Sequence, residues 1–174
     1  NPLVFDIWGD NGSSGEGQQG TISELMAVNG SPSTVEQHIE ALDVLGGLDA
    51  LGSPLVDNMY HAGWAWAGSA PYQGMKLLGS HFGGTRNPMA IRWPARITPD
   101  ARPRSQFHHC NDLVPTIYEL LGITPPQTVN GAPQDQIDGV SLAYTFDDPD
   151  AEGRLHTQYF DIMGSRAIYH DGWM

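Results

Sequence analysis

The segment Leu3-Val4-Phe5-Asp6-Ile7-Trp8-Gly9-Asp10-Asn11-Gly12 decides how the rest of the chain is read. A run with apolar residues on both faces of its alternation predicts a strand in the middle of a parallel sheet. Open α/β sheets gather ligands beyond the carboxyl ends of such strands, which is where Asp10 and Asn11 would stand. A carboxylate beside an amide carbonyl offers the hard oxygen donors that calcium and magnesium take. The same Asp-Asn-Gly triplet is also a favoured tight turn. It therefore carries two readings, a metal half-site or a simple reversal, and the choice rests on the rest of the chain.

Outward from that segment, the glycine-rich stretch Ser13-Ser14-Gly15-Glu16-Gly17 reads as a loop. Residues 34–45 read as a helix, with Thr34 as cap, Gln37 completing a capping box, and Ile39, Leu42 and Leu45 on one apolar stripe. Gly46-Gly47 stops it. Residues 52–87 are loop-rich and aromatic, with Trp64, Trp66 and Tyr72 around Lys76, the only lysine. Met89 to Trp93 is a short strand ended by Pro94, and Asp112 to Gly122 is a second helix capped by Asp112 or a neighbour. Residues 124–153 form a polar connection. The alternating segments 156–162 and 166–171, joined by Met163-Gly164-Ser165, predict a hairpin.

Composition narrows the classes. The chain has 174 residues, 40% of them hydrophobic, enough for one core, while 21 glycines and 13 prolines predict long loops between short elements. Eight Lys+Arg against 20 Asp+Glu give a formal charge of -12, which repels phosphate backbones and argues against a nucleic-acid partner. No apolar run approaches the roughly 18 residues of a membrane span, so no membrane partner is expected. The single cysteine, Cys110, excludes an internal disulfide, a Cys-x-x-Cys zinc site and a redox pair. A start at Asn1-Pro2, directly at a core-like strand, reads as an internal piece of a longer polypeptide.

An ordered series of motifs carries a resemblance: GDNGSSGEG at 9–17, AGWAWA at 62–67, PYQGMK at 71–76, SHFGGTRNP at 80–88, IRWPARI at 91–97, QFHH at 106–109, DLVPTI at 112–117 and RAIYHDGW at 166–173. Together they resemble the sulfatase family, within the alkaline-phosphatase-like superfamily, and its bacterial arylsulfatase branch in particular. The resemblance implies an α/β fold: a partial alkaline-phosphatase-like mixed sheet flanked by helices, running into a small antiparallel sheet. Residues 1–150 would be the later, incomplete part of the catalytic domain, and residues 151–174 the start of a C-terminal sub-domain. It further implies hydrolysis of a small-molecule or carbohydrate sulfate ester by a formylglycine, made from a cysteine, and a calcium ion held by two separate acidic clusters.

Carried onto this chain, the resemblance makes Asp10 and Asn11 the second metal cluster and Lys76 the group that holds a sulfate oxygen. A metal and a lysine fixed around a transferring sulfuryl group would act as preorganised positive charge. His81, close to Lys76 in sequence, would touch substrate or hydrogen-bond a loop. The nucleophile motif Cys-x-Pro-x-Arg is not in this sequence: Cys110 sits in His109-Cys110-Asn111-Asp112, and Ser69-Ala70-Pro71-Tyr72 ends in Gln73 where the arginine belongs. The missing N-terminal part of the same polypeptide would supply the formylglycine and the remaining calcium ligands, and this chain alone would be inactive. Two rivals stand beside this reading. One is a phosphoryl hydrolase of the same superfamily; the other is a non-catalytic, calcium-dependent carbohydrate-binding module.

Several residues carry plainer expectations. Cys110 is expected as a packed thiol, and Trp64 and Trp66 as core. Arg86 is expected in an ion pair, Asp147-Asp148 in a loop or cap, His108-His109 in capping and packing, and Asp138-Gly139 in a turn. Gly83-Gly84 is expected where backbones approach closely.

Overall fold

The computed structural model describes residues 2–9, 11–15, 19–31, 34–56, 59 and 61–174. Helices and small strand pairs alternate along the chain. They are β1 (Val4–Ile7), α1 (Thr21–Val28), α2 (Val35–Val44), α3 (Ala62–Gly68), α4 (Phe82–Thr85), β2 (Met89–Arg92), α5 (Leu113–Leu121), β3 (Thr128–Val129), β4 (Ala132–Pro133), β5 (Thr157–Ile162) and β6 (Ser165–His170). The chain is thus a mixed helix-and-strand protein. Among the described residues every sheet has two strands: β1 with β2, β3 with β4, and β5 with β6.

The opening strand departs from expectation. β1 runs antiparallel to β2, with Val4 opposite Arg92 and Ile7 opposite Met89, instead of lying inside a parallel sheet. Its apolar residues do not fill a two-sided core: Val4 and Ile7 are each 43% exposed, and Phe5 is half-buried. A two-stranded ribbon covers little of either face, so alternation alone could not tell a central strand from this edge pair.

Other elements follow their local signals. Thr34 caps α2, and Gln37 closes the capping box, its backbone N–H donating to Thr34 Oγ1 at 3.4 Å while its side chain accepts from the Thr34 N–H at 2.9 Å. The β5–β6 hairpin turns on Met163 and Gly164 at φ 49° and 85°, the two left-handed positions that match the twist of paired strands. The expected connection at 124–153 contains the two-residue ladder of β3 and β4. α3 and α4 arise within residues 52–87, which were expected to be loop-rich, and α1 lies in a segment for which no element was expected.

The chain separates into two compact units. One comprises residues 1–8, 88–159 and 168–174; the other comprises residues 9–87 and 160–167. The first is built around Asp112, whose side chain has no exposed surface. Its Oδ2 accepts from the His109 N–H at 2.9 Å and pairs with His108 Nδ1 at 3.0 Å, and its Oδ1 accepts from the Val140 N–H at 2.7 Å. His108 Nε2 lies 3.2 Å from the Tyr144 hydroxyl. Thr116 Oγ1 donates to the Asp112 carbonyl and accepts from the Leu142 N–H, tying α5 to the buried Leu142, Ala143, Thr145 and Phe146. Asp138-Gly139 lies in irregular chain and not in a turn, and a Cβ on Gly139 would lie 2.6 Å from the Asn111 carbonyl carbon, a close approach.

Burial by itself pushes the Asp112 carboxyl up, but the hydrogen bonds from His108, His109 and Val140 outweigh it and hold it below the usual range. The pair therefore stabilises the fold above the carboxylate's unfolded pKa of about 4. That contribution is lost as pH falls through the lowered folded value. Asp112→Ala is expected to cost about 3 kcal/mol, because it leaves buried N–H groups unpaired. Urea unfolding at neutral pH should show a lower midpoint with unchanged slope, and the stability of Asp112→Asn should fall less steeply than wild type between about pH 5 and 3.

Candidate functional site

The second unit is packed largely through its backbone. Gly12, Gly15, Gly20, Gly74, Gly79, Gly83 and Gly84 are all buried, whereas its buried apolar side chains among the described residues are Ala50, Val56 and Ala65. The closest approach joins the segment after β1 to α4. The Gly12 N–H donates to the Gly84 carbonyl at 3.0 Å, and a Cβ on Gly12 would fall onto the Gly83 carbonyl oxygen and 2.9 Å from Gly84 Cα. A Cβ on Gly83 would meet the carbonyls of Gln73 and Gly74. The expected need for glycine at Gly83-Gly84 is met here.

That contact sets out a site. The Lys76 N–H donates to the Ser13 carbonyl at 3.0 Å, so residues 11–13 are held on one side by Lys76 and on the other by Gly84. Asn11 and Lys76, far apart in sequence, line one cleft of about 170 Å³ together with Leu77, Gly79, Gly84, Thr85, Phe160, Asp161 and Ile162. Ligand pockets for whole drug-sized molecules run to ~300–1,000 Å³. This cleft suits a head group. One wall comes from the hairpin tip, which is fixed where the Ser80 N–H donates to Ser165 Oγ at 3.1 Å and Ser165 Oγ donates to Ser80 Oγ at 3.0 Å. The Asp161 carboxylate in that wall is paired with Arg166 Nε at 2.9 Å.

Asp10 lies outside the described residues, so the expected Asp10-Asn11 pair is represented by Asn11. His81 is exposed and is not among the cleft's lining residues; its backbone precedes α4, and its carbonyl accepts from the Gly84 N–H at 2.9 Å. Among the described residues no group of three or more His, Cys, Asp and Glu could hold a metal ion. Asn11, even with the Thr85 hydroxyl and Asp161 carboxylate of the same cleft, falls short of the six to eight oxygens that calcium takes. The described residues therefore do not make a calcium site by themselves. Asp161 and Thr85 are cleft residues that the sequence did not single out. Asp161 sits in a regular alternating strand, and its place in the cleft appears only once the hairpin tip meets residues 79–80.

Other expectations are corrected. Cys110 is exposed, its sulfur 3.7 Å from His109 Nδ1, because the turn it opens points Asp112 inward. Trp64 is 72% exposed and Trp66 is also exposed, since α3 turns Ala65 to the interior. Arg86 stacks over the Tyr72 ring at 4.9 Å and near Phe82 at 5.8 Å, a cation–π arrangement that the carboxylate-rich composition did not foretell. Ser69 is buried with its hydroxyl donating to the Ala65 and Gly83 carbonyls, a structural role. His108 and His109 pack and cap as expected, and Asp147 is paired with Arg96 in a loop.

Comparison with the models of known protein families gave no match, and comparison with curated proteins gave none either.

The glycine contact can be tested by substitution. Gly83→Ala should destabilise the protein by about 2 kcal/mol or more through overpacking against the Gln73 and Gly74 carbonyls. Gly153→Ala, with open space around it, should stay within about 0.5 kcal/mol of wild type in the same urea titration.

Proposed function

We propose that this chain is part of a hydrolase of sulfate esters, in which the cleft of Asn11 and Lys76 receives the sulfate group of a small-molecule or carbohydrate ester. One observation carries the reading: Asn11 and Lys76, drawn from separate motifs of the sulfatase-like series, line the same cleft. A lysine ammonium beside a transferring oxyanion lowers the barrier by stabilising the charge that builds on its oxygens. Leu77, Phe160 and Ile162 give the cleft an apolar wall that thins the water around that charge and strengthens its effect. In this reading the fold belongs with the alkaline-phosphatase-like arrangement, and residues 1–150 and 151–174 divide between a catalytic domain and a sub-domain.

The attacking group, a formylglycine, and calcium ligands that complete Asp10 and Asn11 would come from the rest of the polypeptide. The calcium ion, when bound, would supply Lewis-acid polarisation of the sulfate. His81, which does not line the cleft, would in this reading touch the part of the substrate that lies outside it. A carbohydrate-binding module without turnover is the second reading, favoured by the exposure of Trp64 and Trp66, whose flat faces suit a sugar ring.

Peptide mapping by mass of the full polypeptide that contains this chain tests the proposal first. A Cys-x-Pro-x-Arg peptide whose cysteine mass is lowered to that of formylglycine is expected; a threonine or serine nucleophile with faster turnover of 4-nitrophenyl phosphate than of 4-nitrophenyl sulfate would point to the phosphoryl hydrolase. In the same polypeptide Lys76→Ala should lower kcat on the sulfate ester by about 10²–10³, the usual cost of removing one transition-state donor. Saturable sugar binding with no release of sulfate would transfer the assignment to the binding module.

A further inference from the structure

A different cavity, in the unit built around Asp112, gathers an unusual number of guanidinium donors. Of the 8 Lys and Arg residues in a chain of net charge -12, three lie between positions 96 and 104, and Arg96, Arg102 and Arg104 all line one cavity of about 360 Å³. Thr98, Pro99, Asp100, Phe146, Asp147 and Pro149 complete its lining, with buried Phe146 as an apolar surface. Asp100 and Asp147 in that lining, with Asp150 beside Arg102, balance the charge of the three guanidiniums.

The charges balance, but the carboxylates do not use up the N–H donors of the arginines. Asp100 is fully engaged: Arg102 Nε donates to Oδ2 at 3.1 Å, Arg102 Nη2 donates to Oδ2 at 3.0 Å, and Arg104 Nη1 donates to Oδ2 at 3.2 Å. Those hydrogen bonds, chiefly from Arg102, hold its carboxyl at about 2, so it stays ionised and keeps both arginines in place. The other pairings are long. Arg96 Nη2 is 3.5 Å from Asp147, and Arg102 Nη1 is 3.7 Å from Asp150, beyond the usual range of a good N–H to O bond. Arg96 is steadied by the Trp93 ring, 5.8 Å from its Cζ. Among the described residues, Arg96, one arm of Arg102 and two nitrogens of Arg104 are left without a short hydrogen-bond partner. Guanidinium forks match the oxygen spacing of sulfate and phosphate groups, and such charge-assisted bonds are the strong ones.

We propose that the cavity of Arg96, Arg102 and Arg104 is a binding site for a tetrahedral oxyanion, a sulfate or phosphate group, with room for part of the molecule that bears it. Its volume falls in the range of small-molecule pockets, and Pro99, Phe146 and Pro149 offer that molecule an apolar surface. The site does not rest on the hydrolase reading, since none of its residues lines the cleft of Lys76.

The test is an NMR titration of the protein with inorganic sulfate, inorganic phosphate, glucose 6-sulfate and glucose 6-phosphate, read at the arginine Nε–H signals. A saturable shift at Arg96 and Arg104, absent with sodium chloride at equal ionic strength, is expected. Tighter binding of the glucose esters than of the free ions would identify an esterified ligand, and equal binding a free ion; both uphold the site. The Arg96→Ala/Arg104→Ala double variant should weaken binding by about tenfold or more. Asp147→Asn should tighten it about two- to threefold by releasing Arg96, a gain that misfolding could not produce. Lys76→Ala should leave these signals unchanged. A response matched by chloride, unchanged affinity in the double variant, or weaker binding in Asp147→Asn would overturn the proposal.

Discussion

The meeting of Gly12 with Gly83 and Gly84 is the constraint on which the candidate site depends. No side chain mediates it, and none could, because any Cβ at Gly12 would occupy the position of a carbonyl. The consequence is geometric. Two segments that would otherwise be separated by a layer of side chains lie at hydrogen-bonding distance, Gly12 N–H to Gly84 carbonyl and Lys76 N–H to Ser13 carbonyl. Asn11 and Lys76 are adjacent residues on those two segments, so their common cleft follows from backbone contact. The base of a site built this way is held by backbone groups that satisfy each other directly.

The other unit solves a similar problem with a buried charge. Asp112 collects donors from His108, His109 and Val140, and thereby fixes the start of α5 to the segment that carries Leu142 and Phe146. In both units the few buried apolar side chains are small or scattered: Ala50, Val56, Ala65, Leu142, Ala143 and Phe146 among the described residues. Large apolar groups such as Trp8, Val44, Leu48, Trp64 and Trp173 remain exposed. With little apolar area removed from water, directional contacts carry a larger share of specificity than they would in a side-chain core.

That division explains which features the sequence made legible. The Thr34–Gln37 capping box, the Gly122 stop and the Met163-Gly164 reversal are decided by neighbouring residues, and α2, α5 and the hairpin appear where they were expected. The partner of β1 was not legible, since Val4 to Ile7 meet Met89 to Arg92 across a long stretch of chain and short-range alternation says nothing of direction. Glycine misled the reading of residues 52–87. Density of glycine signals loop, yet Gly83 and Gly84 lie within a helix because only glycine fits beneath the Gln73 and Gly74 carbonyls. Likewise residue type alone predicts Trp64 and Cys110 inward, whereas their neighbours Ala65 and Asp112 are the ones that reach the interior.

Charge adds a last step. A net charge of -12 repels anions at long range, while Lys76 in its cleft and three arginines in their cavity set N–H donors at short range, beside carboxylates that balance their charge. The two effects separate by distance. Salt screens the overall field beyond a Debye length of about 8 Å at physiological ionic strength, but contacts of about 3 Å, such as those within the arginine cluster, are screened far less. An anionic ligand would therefore meet a barrier to approach and a well once seated. Moderate salt should ease the approach more than it weakens the seat. If the proposed oxyanion sites hold, a chain so acidic would combine an overall field that turns away polyanions such as nucleic acid with local guanidinium and ammonium donors that receive a single oxyanion.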